Sequence, residues 1–93
     1  MKYIVKYTNQ FKRDWKLCKK RGLQMELLQK AITILAQTGS LPAEYKPHKL
    51  SGVRSGEWEC HIKPDWLLVW EQHEQELTLL MLNTGSHSDI FNK

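Results

Sequence analysis

Apolar positions in the first 40 residues follow a strand period and then a helical one. Alternation at 2–7 predicts a strand, in which one side carries Tyr3, Val5 and Tyr7. A basic helix is predicted to begin after Thr8 or Asn9, whose side-chain oxygens can accept from free N–H groups, and to stop near Gly22. A second amphipathic helix is predicted at 23–37, with an apolar stripe of Leu27, Leu28, Ala31, Ile34 and Leu35.

The second half of the chain alternates in the manner of strands. Residues 42–56 show no period and predict a basic loop, whereas 57–63 alternate cleanly between apolar and polar positions. The apolar run Trp66 to Trp70 is typical of a central strand covered on both faces, and 76–84 predict one more strand before a short tail at 85–93. We therefore expect one α+β domain over 1–93, with two N-terminal helices packed on a mainly antiparallel sheet of roughly four or five strands.

Positive charge is concentrated at the N-terminus. The net charge is +4, yet residues 1–30 hold nine Lys or Arg against only Asp14 and Glu26. Such a distribution suits a polyanionic partner such as RNA, although a solvated helix face explains it equally well. The two cysteines stand far apart, and no run of residues resembles a signal peptide or a membrane span. These features predict a reduced, cytoplasmic protein without membrane insertion.

Histidines outside the apolar stripes are the candidate catalytic groups. His48 lies in the basic loop, His61 on the polar side of a strand with Asp65 beyond it, and His87 in the tail. RNA cleavage needs a base for the 2′-hydroxyl proton and an acid for the leaving 5′-oxygen, and two imidazoles can divide these roles. Candidate cations for the phosphate are Lys46, Lys49, Arg54 and Lys63.

Structural explanations compete with this catalytic hypothesis. Scattered histidines are usually surface groups, and His73, among glutamates in a hairpin loop, is expected only to aid solubility. Cys60 and His61 point to opposite faces of a strand, so no metal site is predicted. Cys18 and Cys60 fall on apolar stripes, where thiols are normally inert.

Three segments together resemble a known family. They read YKPHKLSG at 45–52, ECHIKPDWLLV at 59–69 and TGSHSDIF at 84–91. Their order and spacing, after a basic helical hairpin, resemble the YafQ-like branch of the RelE toxin superfamily. The resemblance implies the RelE-like fold and a type II toxin that cuts messenger RNA on the ribosome without metal or other cofactor. It also implies a cognate antitoxin, through which the complex binds operator DNA.

The resemblance also implies roles for individual residues. Carried over, the catalytic set is His48, His61, Asp65 and His87, with Phe91 beside the RNA and Glu59 as a further acidic residue. We expect His87 to be the general acid and His48 the general base, with Asp65 and His61 orienting them or sharing the proton. We expect Lys16, Lys19 and Lys20 of the basic helix to contact ribosomal RNA.

One position departs from the family pattern. Well-known members carry an arginine before the Thr-Gly-Ser-His tail, whereas this chain has Asn83. The departure raises the alternative that the chain is a weak or inactive relative that only binds RNA or an antitoxin. If it cleaves RNA, a neighbouring cation must compensate, and Arg54 or Lys49 is expected to do so before Lys63.

Overall fold

The structure, a computed structural model, describes residues 1–91 and combines helices with one mixed sheet. The strands are β1 (Ile4–Tyr7), β2 (His48–Lys49), β3 (Trp58–Lys63), β4 (Trp66–His73) and β5 (Thr78–Gly85). The helices are α1 (Asn9–Lys20), α2 (Met25–Thr38) and α3 (His87–Phe91), and two 3₁₀ turns occupy Ala43–Tyr45 and Gly52–Arg54. The sheet order is β1-β5-β4-β3-β2, in which only the β1–β5 pair is parallel. The predicted α+β fold is confirmed.

The start of α1 and the end of α2 lie where local chemistry predicts, whereas α2 begins at Met25 instead of Leu23. The Thr8 hydroxyl accepts from the Phe11 N–H at 3.0 Å, which caps α1. Gly39 closes α2 in the left-handed conformation at φ 81°, with its N–H bonded to the Leu35 carbonyl. The predicted stripe of α2 was partly wrong, because Ile32 is buried while Ile34 is only half-buried.

β4 lies at the centre of the sheet and is buried on both faces. Trp66, Leu68 and Trp70 join the core beneath α1 and α2, whereas Leu67 and Val69 point to the opposite face. All three residues Leu67–Val69 have no exposed surface. The apolar run therefore predicted this strand correctly.

Helix α1 replaces a strand along the outer edge of β5. β1 pairs with β5 only from Thr78 to Met81. Beyond that point the Thr8 hydroxyl donates to the Leu82 carbonyl at 3.1 Å, and the Asp14 carboxylate accepts from the Thr84 N–H at 3.1 Å. Thr8, the N-cap of α1, and Asp14 within α1 thus satisfy backbone groups that would otherwise lie unpaired at the edge.

The segment predicted as a tail contains a short helix, α3, anchored to α1. The Ser86 hydroxyl accepts from the Asp89 N–H, and Asp89 accepts from the Ser86 N–H, both at 3.0 Å. This reciprocal arrangement is a capping box. Arg21 donates to Asp89 at 2.6 Å and connects the end of α1 to α3. Within 1–91, none of the helices combines the length and apolar character needed to cross a bilayer.

Candidate active site

Strand register gathers the predicted catalytic residues on one face of the sheet. His48 lies opposite Glu59, Glu59 opposite Val69, and Val69 opposite Asn83, so these residues form one row across four strands. His61 is two residues after Glu59 and shares its face, which is the face turned away from α1 and α2. Residues directly opposite each other in a ladder point to the same side. The two predicted strand histidines are therefore neighbours.

Glu59 is the buried carboxylate between two of the imidazoles. Only 5% of the residue is exposed. Its Oε1 lies 3.1 Å from His48 Nε2 and 3.9 Å from His61 Nε2. A buried carboxylate is costly unless it is paired, and His48 supplies the shorter contact. Glu59 thus belongs at the centre of the site.

The His48 ring lies between two oxygens. Its Nδ1 lies 2.9 Å from the Lys46 carbonyl oxygen. Its Nε2 lies within ion-pair distance of the Glu59 carboxylate, at 3.1 Å. The backbone at Lys46 and the buried carboxylate on β3 therefore both contact this imidazole.

His87 is held by Asp65 through two hydrogen bonds. The Asp65 Oδ1 accepts from the His87 backbone N–H at 2.9 Å and from ring Nδ1 at 2.6 Å. These bonds lower the pKa of Asp65, the backbone bond contributing most. Because the carboxylate only accepts, it fixes the proton on Nδ1 and leaves Nε2 to meet a ligand.

His61 stands between the other two histidines. Its ring centroid lies 6.5 Å from that of His48 and 5.9 Å from that of His87. Its Nδ1 lies 3.3 Å from the Pro64 carbonyl, in the turn that leads to Asp65. Three imidazoles therefore form a continuous series along one surface, and Asp65 contacts His87 rather than His61.

Arg54 and Phe91 lie at the β5 end of the same face. Arg54 Nε donates to Glu57 at 2.6 Å and Nη2 donates to Asn83 at 2.5 Å. The guanidinium carbon lies 5.8 Å from the Phe91 ring centroid. Arg54, one of the three cations predicted in the 42–56 loop, is thus in contact with Asn83, the position where the family pattern has an arginine.

The predicted lysines occupy different surroundings. Lys49 pairs with Trp58, and its Nζ lies 5.6 Å from that ring centroid, on the face opposite to His48. Lys46 and Lys63 line a cleft of about 280 Å³ together with His61. Lys46 and Lys63 therefore lie beside the histidines, whereas Lys49 does not.

The basic helix forms a second charged surface. Lys16, Lys19 and Lys20 are exposed on α1. Its neighbour Arg21 reaches Asp89 in α3, the helix that begins at His87. The basic helix α1 is therefore joined to α3 by the Arg21–Asp89 ion pair.

Some contributors to the site were not predicted from the sequence. Asp14, Glu57 and Asp89 bind groups of the site, and only Asp89 had a readable signal, the Ser-x-x-Asp spacing of a capping box.

The two thiols are buried, and burial raises the pKa of Cys60 to about 12 and also raises that of Cys18. Both thiols therefore stay protonated near neutral pH, as predicted for core residues. Among residues 1–91, no group of three or more His, Cys, Asp or Glu side chains is arranged to hold a metal ion.

Sequence comparison identifies the family. The family described as the bacterial toxin of type II toxin–antitoxin systems, YafQ, matches residues 3–92. The chain belongs to this YafQ toxin family. It is 35% identical over 88 residues to the mRNA interferase toxin YafQ of Escherichia coli strain K12, a match that covers 94% of each protein. The predicted family membership is confirmed.

Solved structures give the same assignment. A chain of the E. coli DinJ–YafQ toxin–antitoxin complex superposes with a TM-score of 0.87 at 34% identity, covering 98% of this chain and 99% of that one. A metal-bound toxin from Helicobacter pylori superposes with a TM-score of 0.87 at 38% identity, covering 96% of this chain and 99% of that one. The arrangement of two helices on a five-stranded sheet is therefore that of the YafQ toxins.

Proposed function

We propose that this YafQ-family chain is an mRNA interferase, a metal-independent endoribonuclease that acts on ribosome-bound messenger RNA. The observation that carries the proposal is the gathering of three histidines and two carboxylates on one face of the sheet. They come from β2, β3, the β3–β4 turn and α3. This arrangement supplies both proton-transfer roles without a cofactor.

The chemistry is transfer of the phosphate from the 5′-oxygen to the 2′-oxygen. The 2′-hydroxyl loses its proton, its oxygen bonds to phosphorus, and the bond from phosphorus to the 5′-oxygen breaks with its electron pair. The leaving oxygen takes a proton, which gives a 2′,3′-cyclic phosphate and a 5′-hydroxyl. The reaction therefore needs one proton acceptor, one donor and a cation near the phosphate.

His87 has the geometry of the general acid. Asp65 holds Nδ1, and the imidazole is half exposed, so a protonated ring can present Nε2–H to a leaving oxygen. The pair fixes ring orientation, which is the role of the carboxylate in other His–Asp pairs.

His48, backed by Glu59, has the geometry of the general base. Its side chain is 49% exposed, whereas that of Glu59 is 6% exposed. A small rotation away from the Lys46 carbonyl presents Nδ1 to substrate, and Glu59 stabilises the imidazolium formed when it takes the proton. His61 Nε2 lies 3.9 Å from the same Glu59 oxygen and adds a second, longer contact.

Asn83 favours a second candidate, an RNA- or antitoxin-binding protein without efficient cleavage. Position 83 offers a neutral amide where a guanidinium would bind two phosphate oxygens. This candidate predicts normal association with ribosomes and antitoxin but no cut message.

The deciding experiment measures cleavage of a defined message on programmed ribosomes by wild type, His87→Ala and His73→Ala. His73 pairs with Glu71 at 2.9 Å in the β4–β5 hairpin, which makes it a matched histidine control. We expect wild type and the His73 variant to cleave equally and the His87 variant to lose at least about 100-fold. Intact message with wild type would contradict the ribonuclease proposal, and normal ribosome association in the same sample would favour the binding protein.

Metal dependence is tested in the same assay. Cleavage is expected to survive chelation of transition metals, with ribosomal Mg²⁺ kept constant, because imidazoles and carboxylates perform both proton transfers. The related Helicobacter pylori toxin was crystallised with metal, so Cu²⁺, Ni²⁺ and Zn²⁺ are added back separately. Activity that disappears on chelation and returns with one metal would contradict the acid–base proposal.

We further propose an acidic, partly disordered antitoxin that orders on the basic surface, neutralises the toxin in the cytoplasm and carries the complex to operator DNA. The positive charge of α1 is complementary to an acidic partner, which supports this proposal. Co-expression with an antitoxin encoded next to this toxin in its native genome should relieve growth arrest and yield a complex that retains operator DNA. A chain that remains toxic and purifies alone would contradict it.

A further inference from the structure

We propose that Arg54 is the phosphate-binding cation of this site and that Asn83 is the residue that positions it. The inference rests on the proposed ribonuclease function and names the group that carries the phosphate charge. It assigns to the pair a task that a single arginine on β5 would otherwise perform.

The Arg54 side chain reaches across the sheet. Arg54 lies in the β2–β3 connection, yet its Nη2 donates to Asn83 on β5, two strands beyond β3. Neighbouring strands lie about 4.8 Å apart, so Asn83 is roughly 10 Å from Glu59 along the same row. The guanidinium therefore lies at one end of a row whose other end holds Glu59 and His48.

Three contacts hold the guanidinium. Nε donates to the Glu57 carboxylate, and Nη2 donates to the Asn83 amide oxygen. The Phe91 ring centroid lies 5.8 Å from the guanidinium carbon. Within residues 1–91, Nη1 has no hydrogen-bond partner. The side chain of Arg54 is 25% exposed, so the head is fixed while part of it remains open to ligand.

Asn83 is itself oriented for this task. Its Nδ2 faces Asp14 at 3.4 Å, and its Oδ1 accepts from Arg54. Because the Asp14 carboxylate only accepts and the Arg54 guanidinium only donates, the amide of Asn83 has a single favourable orientation, with Nδ2 towards Asp14 and Oδ1 towards Arg54. An arginine at 83 would instead place two guanidinium groups together, so a neutral acceptor fits Arg54.

The other predicted cations are placed less suitably. Lys49 lies over Trp58 on the opposite face, and Lys46 and Lys63 are exposed at the cleft beside His61. Among the described residues, none of them has a hydrogen bond to Asn83 or a cation–π contact with Phe91. A planar guanidinium held at two nitrogens is also better suited to a phosphate than a mobile ammonium.

The test of Arg54 is single-turnover cleavage on programmed ribosomes by Arg54→Ala and Arg54→Lys, with Lys6→Ala as control. Lys6 is an exposed cation on β1, at the opposite edge of the sheet from β2. We expect the Ala variant to lose roughly 100-fold in the cleavage step, the Lys variant less, and the control nothing. Millimolar guanidinium should partly rescue Arg54→Ala, whereas the same concentration of NaCl should not. A full-rate Arg54→Ala would overturn the assignment.

The positioning role of Asn83 is tested by coupling. Asn83→Ala should slow the cleavage step by about 10-fold in wild type and have no further effect in Arg54→Ala, because it acts through Arg54. Additive losses would show that Asn83 acts independently and would overturn the positioning role. Asn83→Arg alone should gain little, whereas Asn83→Arg in the Arg54→Ala background should recover activity because a guanidinium is restored.

Failure of this inference is distinguishable from failure of the proposed function. If wild type leaves the message intact, the ribonuclease proposal fails and Arg54 has no phosphate to bind. If wild type cleaves and His87→Ala does not, while Arg54→Ala cleaves at the wild-type rate, only the assignment of Arg54 fails. Thermal melting of each variant confirms that the folded protein is being compared.

Discussion

Asp65 binds the backbone and the ring of His87 through the same carboxylate oxygen. The two hydrogen bonds, at 2.9 and 2.6 Å, link the β3–β4 turn to the first residue of α3. A side chain that is 53% exposed is thereby kept in one orientation. The pair thus sets both where the imidazole stands and which nitrogen it offers.

Replacing Asp65 by Asn tests this relationship. The amide can donate as well as accept, so the proton on His87 is no longer fixed at Nδ1, and cleavage should fall by about 100-fold or more. An Asp89→Asn control distinguishes this effect from loss of helix capping. Wild-type cleavage by Asp65→Asn, measured in single turnover, would show that the pair is not needed for catalysis.

The Glu59→Gln variant tests the buried carboxylate. The amide keeps the size of the side chain but cannot stabilise an imidazolium, so cleavage should fall by roughly 10- to 100-fold while the protein still folds. Glu71→Gln, which alters the exposed pair with His73, is the matched control. Equal cleavage by both variants would remove Glu59 from the proton pathway.

The Arg21–Asp89 pair predicts how acid affects α3. Hydrogen bonds from Arg21, the largest cause, and from the Ser86 N–H lower the pKa of Asp89 to about 2 from its ordinary 3.8. Since the folded-state pKa is the lower one, the pair stabilises the fold above pH 3.8 and loses this contribution as the pH falls towards 2. Arg21→Ala should therefore narrow the difference in melting temperature between pH 6 and pH 2. An unchanged difference would show that the pair adds nothing.

Local patterns predicted most of the fold, whereas contacts between distant segments needed the structure. Trp66 to Trp70 gave β4 because burial on both faces leaves a continuous apolar run. The parallel β1–β5 pair has no local signal, because its partners lie over 70 residues apart. The contact between Arg54 and Asn83 is likewise set by strand order, so the sequence predicted Arg54 as a candidate but gave Lys49 equal weight.

Gly22 and Gly39 have similar backbone angles, so alanine substitutions at the two positions distinguish the cost of backbone strain from that of a steric clash. Their φ angles are 83° and 81°. A Cβ added at Gly39 would lie 2.7 Å from the Tyr3 side chain, whereas a Cβ added at Gly22 would have no atom of the described residues within 4 Å. Gly22→Ala should cost about 1–2 kcal/mol of unfolding free energy from backbone strain. Gly39→Ala should cost about 1–3 kcal/mol more. Equal costs in urea unfolding would show that Tyr3 moves aside freely.

Charge reversal on α1 tests contact with ribosomal RNA. Lys16, Lys19 and Lys20 are exposed, so changing all three to Glu should weaken ribosome association and leave the histidine site unaltered. Because fewer cation–phosphate contacts remain, the affinity for ribosomes should also depend less steeply on salt concentration. Unchanged binding at low and high salt would contradict this role.

The β1–β5 pair is expected to form late in folding. β3, β4 and β5 are joined by short turns, so their contacts close small loops and form readily, whereas β1 must close a loop of over 70 residues to reach β5. Until then the outer edge of β5 lacks both β1 and α1, and it can template pairing with another chain. Refolding at high protein concentration should therefore be limited by aggregation of a species that contains the meander, with docking of the N-terminal segment as the slow step.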